Sequence, residues 1–459
     1  MSFTTGSDGF DALRQSIKAG KVLVPGSQEY EDSLRRWSET CVKPAAVVVK
    51  PASAGEVSDA IKFATTNGIP LTVKCGGHST SGTSSCEGGM VIDLGLLRDV
   101  RVNPAEKTVT FGGGCLWQDV DQALWEHGLA TVGGTVSDTG VGGLILGGGF
   151  GFLTPRYGLT IDILLEAEVV TADGRVLRVA EDENQDLFWA VRGAGQSFGV
   201  ATSFTVRAFD QGPCYAGMVL LSPTALPTIV DFVNFVHEAQ DANSAMVTGP
   251  TRFPPDGEEG YFCMIFYNGN EEEGKKFYRP ILDAATLNTA SVKTWPEVNS
   301  QLGQIASSRK LLGGATFVPP LKLEDVQRAA EKMFRFTEEH LGVQAAIQWE
   351  ILPNSRVRST SHKATAFAAR DDAYQICPFW QWDDPELDGV VRRVNREVVT
   401  KLRESGVKTG VTQYNNYNIE DDVPPEKAYG SNVERLQRLK EKYDPTNIFH
   451  KWNSFRARR

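Results

Sequence analysis

The chain has 459 residues, of which 41% are hydrophobic and 23% are charged, as expected for a globular protein of roughly two to three domains. Its net charge of −10 disfavours the concentrated basic surface that binding to nucleic acid or to an anionic membrane would need. No apolar run reaches the length of a membrane-spanning helix, so we expect no membrane partner.

A strand, a helix and a second strand are predicted in the first hundred residues. The apolar run 45–49 is typical of a strand, and Ser53 followed by Glu56 predicts a reciprocal capping box at the start of a helix. Asn67-Gly68 ends that helix, and the apolar run 69–73 forms the next strand. If the two strands are parallel in one sheet, the pattern is a right-handed β-α-β unit.

The second strand leads directly into the segment 74–80, Lys-Cys-Gly-Gly-His-Ser-Thr, which is the most informative loop of the chain. Gly76 and Gly77 have no Cβ atoms, so backbone N–H groups can converge there on a phosphate while His78 projects toward what the phosphate carries. This geometry suits a flavin. On the heptapeptide alone, a buried core histidine is an equally good interpretation.

Further α/β structure is predicted up to about residue 210. Strands are expected over 90–94 and 108–111, and Leu116, Val120 and Leu124 lie on one face of a helix. The corner Ala172-Asp173-Gly174 predicts a β-hairpin.

The second informative loop runs from Thr135 to Gly151 and contains seven glycines. Such a composition is too rich in glycine for an ordinary helix or strand and indicates backbone pressed against a ligand. A Rossmann site for NAD is the competing interpretation. It is disfavoured because the cluster is not a G-x-G-x-x-G turn that opens a helix within a short β-α-β unit.

Residues from about 215 to 410 show helical patterns interleaved with strands. Helices are expected over 229–237, 326–340 and 387–402, and strands over 260–267 and 345–351. The last strand has an apolar face and a polar face, and the polar one carries Gln344, Gln348 and Glu350. That polar face meets either solvent or a substrate pocket.

Four further motifs follow the two loops in order: 186–193 (DLFWAVRG), 197–202 (SFGVAT), 414–417 (YNNY) and 443–449 (YDPTNIF). Together with the loops, the chain resembles the berberine-bridge-enzyme-like FAD-linked oxidases, within the superfamily of vanillyl-alcohol oxidase and p-cresol methylhydroxylase. The resemblance implies an α+β flavoprotein of two domains. An FAD-binding α/β domain would span residues 1–210, and a substrate-binding domain of antiparallel sheet covered by helices would span 211–410. Residues 411–459 would return to the FAD-binding domain.

For the cofactor, the resemblance implies FAD joined to His78 through the 8α-methyl carbon of the flavin. Backbone N–H groups of four glycines in the two loops are the expected pyrophosphate donors. The candidate cofactor-binding residues are Gly76, Gly77, His78, Ser79, Thr135, Ser137, Thr139, Gly140, Gly142, Gly143, Gly147, Gly149, Val200, Asn416 and Tyr417.

Two positions of the glycine-rich loop bear on how the flavin is held and reoxidised. Val136 stands where many members of the family carry a cysteine that makes a second flavin link, so a single link through His78 is implied. Thr139 stands where members of the family carry a residue that controls the access of oxygen to the flavin. That residue is Val in oxidases and Leu in dehydrogenases. Thr matches Val in shape, which favours access of oxygen.

Oxidation also needs a base to take a proton from the substrate hydroxyl or amine. Tyr414 is the first candidate, because residues 414 and 416 of a strand share a face and Asn416 is a candidate flavin contact. Its phenol, with an ordinary pKa of about 10, needs a positive neighbour or hydrogen-bond donors to act near neutrality. The alternative is a phenol that only packs in the core. Glu350 and Tyr374 are the reserve candidates.

The predicted function is an FAD-dependent oxidase that takes a hydride from a small or medium organic molecule, such as an alcohol, a sugar or an alkaloid-like amine. Molecular oxygen would accept the electrons and leave as peroxide. Three alternatives stay open: a dehydrogenase with another acceptor, a redox-neutral cyclase, and a non-catalytic protein that binds flavin or sugar. The oligomeric state is left open.

Compartment and metal content follow from what the sequence lacks. The N-terminus shows no basic region followed by an apolar one, so we expect the cytoplasm or another intracellular compartment. The seven cysteines are scattered and the six histidines dispersed, which predicts free thiols and no metal site.

Overall fold

The structure is a computed structural model that describes residues 7–253, 256–301, 308–406, 413–417, 424–452 and 455. Within these ranges the strands are β1 Lys21–Leu23, β2 Val47–Lys50, β3 Leu71–Lys74, β4 Met90–Asp93, β5 Val100–Asn103, β6 Thr108–Gly112, β7 Leu129–Ala130, β8 Leu164–Thr171, β9 Val176–Ala180, β10 Gly199–Arg207, β11 Phe209–Asp210, β12 Cys214–Leu221, β13 Ser244–Phe253, β14 Glu258–Tyr267, β15 Ala285–Asn288, β16 Ser291–Lys293, β17 Arg309–Leu312, β18 Ala315–Phe317, β19 Gln344–Ile351 and β20 Tyr374–Trp382.

The helices of the same ranges are α1 Asp11–Ser16, α2 Gln28–Leu34, α3 Ala54–Thr66, α4 Trp117–Trp125, α5 Val141–Leu146, α6 Thr154–Tyr157, α7 Gln185–Ala194, α8 Leu226–Ala239, α9 Glu271–Phe277, α10 Arg279–Asp283, α11 Trp295–Asn299, α12 Leu323–Glu339, α13 Ser355–Arg358, α14 Asp388–Gly406, α15 Pro425–Tyr429 and α16 Val433–Tyr443. No helix of these ranges has both the length and the apolar composition for a membrane span.

The first sheet contains the predicted β-α-β unit. Its strand order is β1-β2-β4-β3, and β2 and β3 both run parallel to β4, which lies between them. The hydroxyl of Ser53 accepts a hydrogen bond from the Glu56 N–H at 3.3 Å, which begins α3 as expected. The reciprocal half of the predicted capping box is wrong. The Glu56 carboxylate accepts from the N–H of Ala52 instead and also binds the backbone of residues 18–20.

The second sheet has the order β5-β6-β10-β8-β9 and is antiparallel. Its outer hairpin, β8 and β9, turns at the predicted corner 172–174. Helix α4 carries buried Val120 and Leu124 and packs with this sheet in the largest core of the molecule. The two N-terminal sheets therefore present their connecting loops, including 74–80, to a common region.

The third sheet is the largest within the described ranges, where it has nine strands. Its main path is β15-β12-β14-β13-β19-β20-β17, with β16 beside β12 and β18 beside β20, and every pair is antiparallel. Ile347, Trp349 and Ile351 pack in one core with residues of helices α8, α12 and α14. This confirms the predicted antiparallel sheet covered by helices.

The C-terminal segment packs into the N-terminal half of the chain. The Lys440 ammonium lies 2.7 Å from the Asp444 carboxylate, and both side chains are buried. The same ammonium donates to the carbonyls of Ser197 and Phe449 at 2.6 and 2.7 Å. The predicted boundaries at residues 210 and 410 stay predictions, and parts of the segment 411–459 lie outside the described residues.

Candidate functional site

One cavity of about 600 Å³ lies where the loops of the first two sheets meet the polar face of the third. Most of the residues that the sequence singles out line it. They are Gly76, Gly77, His78, Ser79, Thr135, Thr139, Gly140, Gly142, Gly143, Val200, Glu350, Tyr414, Asn416 and Tyr417.

Four candidates from the sequence are not on the cavity wall. Ser137 is buried and its N–H donates to the Asn299 carbonyl at 3.1 Å. Gly147 lies behind the Asn416 side chain and Gly149 lies against Thr160. The Tyr374 hydroxyl is within 3.2 Å of the side chains of His237 and Gln240, on the helix-covered face of the third sheet. The structure therefore does not bring Tyr374 to the site.

The two glycine loops pack directly against each other, which the sequence did not reveal. A Cβ on Gly76 would lie 2.4 Å from the Gly140 nitrogen, and a Cβ on Gly140 would lie 2.2 Å from the Gly76 nitrogen. Gly77 has a φ of +73°, a conformation that favours glycine. The absence of side chains at Gly76 and Gly140 is thus needed for loop packing.

The prediction that the second loop forms no helix is wrong. Residues 141–146 form the short helix α5, which begins after Gly140. Val141, Ile145 and Leu146 are buried, so tertiary packing holds a helix that composition alone disfavours. Gly143 on this helix has open space where a Cβ would stand, and it lies on the cavity wall.

His78 is held by three neighbours. Its Nε2 lies 3.4 Å from the Asp138 carboxylate, and its Nδ1 lies 3.4 Å from the Thr139 hydroxyl. The indole of Trp37 stacks on the imidazole, with ring centroids 5.6 Å apart. A histidine that sits on a cavity wall with a carboxylate partner is not the buried core residue of the alternative interpretation. Asp138 and Trp37 were missed from the sequence, although Asp138 directly precedes Thr139.

A second polar group lies on the wall formed by the third sheet. The Tyr417 hydroxyl donates to Glu350 at 3.0 Å, and the Cys377 thiol lies 4.0 Å from the other carboxylate oxygen. Burial raises the pKa of Glu350 to about 8, although the hydrogen bond from Tyr417 acts in the opposite direction. Glu350 is therefore a carboxyl group that titrates near neutral pH.

Tyr414 is close to this group, but for a different reason than predicted. Residues 415–417 form a 3₁₀ turn, so the predicted strand and its shared face are wrong. The Asn416 amide donates both to the Tyr414 hydroxyl at 2.8 Å and to the Leu144 carbonyl at 3.1 Å. Burial raises the pKa of Tyr414 well above its ordinary value, and the Asn416 hydrogen bond only partly offsets this.

The residues of the cavity fit a flavin nucleotide. Glycine backbone forms one wall, with room at Gly143 for a ligand to approach the first turn of α5. Within the described residues, Asn416 Oδ1 and Gln196 Oε1 are buried acceptors without a hydrogen-bond partner, and both residues line the cavity. Apolar side chains such as Phe150 and Leu312 line the rest, as an extended aromatic ring system requires.

Comparison with known proteins agrees with this fit. The family profile described as FAD binding domain matches residues 45–180, and the profile described as berberine and berberine like matches residues 413–455.

Three similar proteins cover nearly the whole chain. The FAD-linked oxidoreductase pgmH of Aspergillus terreus is 34% identical over 465 residues, which cover 96% of this chain and 94% of that protein. The (R)-6-hydroxynicotine oxidase of Paenarthrobacter nicotinovorans is 34% identical over 95% of this chain and 96% of its own. The crystal structure of 6-hydroxy-D-nicotine oxidase from Arthrobacter nicotinovorans has a TM-score of 0.85 and 24% identity, with 95% and 98% of the two chains covered, so the fold is shared. The chain belongs to the berberine-bridge-enzyme-like family of FAD-linked oxidoreductases.

Proposed function

We propose that this protein is an FAD-dependent oxidase whose proton acceptor is Glu350, acting on a small amine or alcohol bound in the cavity beside the glycine loops. The observation that carries the proposal is the buried carboxyl group of Glu350 on the cavity wall, with a pKa of about 8. When bound, FAD supplies the acceptor for the substrate hydride. The residues of this chain must then orient the substrate and take up its proton.

Glu350 is better suited than Tyr414 to take up that proton. A base works best when its pKa lies near the working pH, and burial brings the pKa of Glu350 close to neutrality. The same burial moves the pKa of Tyr414 further from neutrality. Tyr417, which donates to Glu350 at 3.0 Å, orients the carboxylate that results from ionisation.

His78 is the residue that we propose to carry the flavin, through a single covalent bond. It lies on the cavity wall, in the first glycine loop and against Asp138 and Thr139 of the second, and Val136, also on that wall, offers no second nucleophile. Backbone N–H groups of the glycine loops would hold the pyrophosphate. Thr139 would leave oxygen a path to the reduced flavin, with peroxide as the product.

The cavity wall narrows the substrate class. The strands of the third sheet contribute two polar side chains to the cavity, Gln348 and Glu350, beside the apolar side chains of Val247, Leu312 and Phe379. Such a wall suits a compact apolar ring that carries one hydroxyl or amine. The similarity to (R)-6-hydroxynicotine oxidase supports testing N-heterocyclic amines first.

The test is to mix the protein anaerobically with heterocyclic amines, aromatic alcohols and sugars, and to follow bleaching of the flavin. Admission of air should restore the oxidised spectrum and release one peroxide for each substrate molecule oxidised. Bleaching without reoxidation by air would identify a dehydrogenase. Product formation with no bleaching would identify a redox-neutral enzyme.

A further inference from the structure

We propose that Asp138 is a positioning residue for covalent attachment of FAD: its carboxylate holds the Nε2–H of His78 and so leaves Nδ1 as the nucleophilic nitrogen. The inference rests on the proposed attachment at His78. Its test therefore includes a variant that examines the attachment itself.

The two side chains are placed against each other by the backbone. The contact between Gly76 and Gly140 fixes the loop 74–80 beside the segment that precedes α5. Asp138 Oδ1 consequently lies 3.4 Å from His78 Nε2, and both side chains are largely shielded, with 23% and 21% of their surfaces exposed. Stacking on Trp37 restricts rotation of the imidazole. One ring nitrogen thus faces a carboxylate in a defined geometry.

The charges around Asp138 keep its carboxylate ionised. The neighbouring His78 imidazole lowers the pKa of Asp138, and the Lys310 ammonium lowers it further, against the opposing effect of burial. Lys310 is itself buried and lies 5.0 Å from the centroid of the Trp37 ring. An ionised carboxylate accepts the Nε2–H and selects one neutral tautomer of the imidazole.

That tautomer is the one a nucleophilic histidine needs. With hydrogen on Nε2, the lone pair is on Nδ1, which lies 3.4 Å from the Thr139 hydroxyl, the same distance as that from Nε2 to Asp138. Attack forms the bond from Nδ1 to the 8α carbon and replaces one carbon–hydrogen bond of that methyl group. The imidazole proton at Nε2 is lost to Asp138 as the bond forms, and two electrons and two protons finally pass to dioxygen, which leaves as hydrogen peroxide.

The experiment compares Asp138→Asn, Asp138→Glu, His78→Ala and the exposed control Asp182→Asn, whose side chain is 77% exposed. Each purified protein is incubated in air with excess FAD, and acid-precipitated samples are assayed over time for flavin that stays with the protein. Flavin bound before precipitation is measured in parallel. We expect Asp138→Asn to bind FAD but to form the covalent bond about tenfold more slowly or worse, as for other removed partners of a functional histidine. Asp182→Asn should match the parent.

The outcomes separate the two proposals. If His78→Ala keeps acid-stable flavin, the attachment site itself is wrong. If His78→Ala releases its flavin while Asp138→Asn reacts at the parent rate with equal bound FAD, only the role of Asp138 is overturned. Asp138→Glu retains a carboxylate and should recover most of the lost rate, whereas a merely structural defect would not be repaired. A glutamate variant as slow as the asparagine variant would also overturn the role.

Discussion

At the scale of single residues, the site depends on side chains whose pKa, ordinary in water, is changed by burial in the protein. A glutamic acid with its usual pKa would be fully ionised at neutral pH, whereas Glu350 keeps its proton until about pH 8 because burial removes the water that would stabilise its charge. The residue type could be predicted from the sequence as a reserve candidate. Its raised pKa could not, because it arises from burial by residues that are distant in the sequence and meet only in the folded chain.

The first prediction concerns the ionisation of Glu350. Since only the carboxylate can accept a proton, flavin reduction by substrate should rise with pH and level off above about pH 8. Glu350→Gln should reduce its flavin about 10²-fold more slowly and lose this pH dependence. Stopped-flow absorbance in the absence of oxygen measures both, with the exposed Glu338→Gln as the control. A glutamine variant with the parent rate and pH profile would return the role to Tyr414, for which Tyr414→Phe is the corresponding test.

The second prediction concerns oxygen. Thr139 lies on the cavity wall beside His78, so a larger side chain there should obstruct the path of oxygen. Thr139→Leu should slow reoxidation of the reduced flavin several-fold and leave flavin reduction close to the parent rate. Thr139→Val, which keeps the shape, should reoxidise like the parent. Equal reoxidation rates in all three proteins would show that position 139 does not control oxygen access.

At the scale of elements, periodic patterns predicted well and irregular segments did not. Helices α3, α8, α12 and α14 and strand β19 follow their apolar spacing, because each buries an apolar face against a partner. Strand β14, predicted from its apolar run, is buried on both faces. The strand predicted at 414–417 is wrong, because four residues are too few to show an informative period and 415–417 form a 3₁₀ turn. This turn is held by the Asn416 amide bound to α5, a contact between residues 272 positions apart. Long-range contacts of this kind also explain the helix within the glycine-rich loop.

The third prediction concerns the packing of the two glycine loops. Gly76→Ala places a Cβ 2.4 Å from the Gly140 nitrogen, a backbone atom that cannot move without moving α5. We expect a loss of about 1–3 kcal/mol in the free energy of unfolding, as for other overpacked sites. Chemical denaturation measures it, with each substitution made in the His78→Ala background, from which the flavin can be removed. Gly143→Ala is the matched control, because open space surrounds that position, and equal stability of the two variants would contradict the packing argument.

At the scale of the whole molecule, the C-terminal segment packs against the N-terminal half of the chain. Helix α16 packs against α7, and the buried Lys440 ammonium joins Asp444, Ser197 and Phe449. Phe449 also lines the cavity, so these contacts of Lys440 connect the C-terminal segment to the site. The motif 443–449 was recognised in the sequence by resemblance, but its buried ion pair was not foreseen, because lysine and aspartate are usually exposed.

The fourth prediction concerns the buried ion pair of Lys440 and Asp444. Asp444→Ala leaves a buried ammonium without its carboxylate and should cost about 3–5 kcal/mol in the free energy of unfolding. Lys442→Ala is the control, because it removes an exposed ion pair with Asp186 and should change that free energy by less than about 1 kcal/mol. Urea denaturation of both variants gives the comparison. An Asp444 variant as stable as the Lys442 control would show that the ion pair of Lys440 and Asp444 does not stabilise the fold.

The two faces of the third sheet determine where substitutions can alter the cavity without altering the core. Along β19, Ile347, Trp349 and Ile351 belong to the helix-covered core, while the residues between them, Gln348 and Glu350, face the cavity. Because adjacent positions of one strand serve different surroundings, substitutions at Gln348 can alter the substrate preference without disturbing the core. A library randomised at position 348 and at cavity-lining Phe379 of the neighbouring strand should therefore yield mostly folded proteins with diverse specificities.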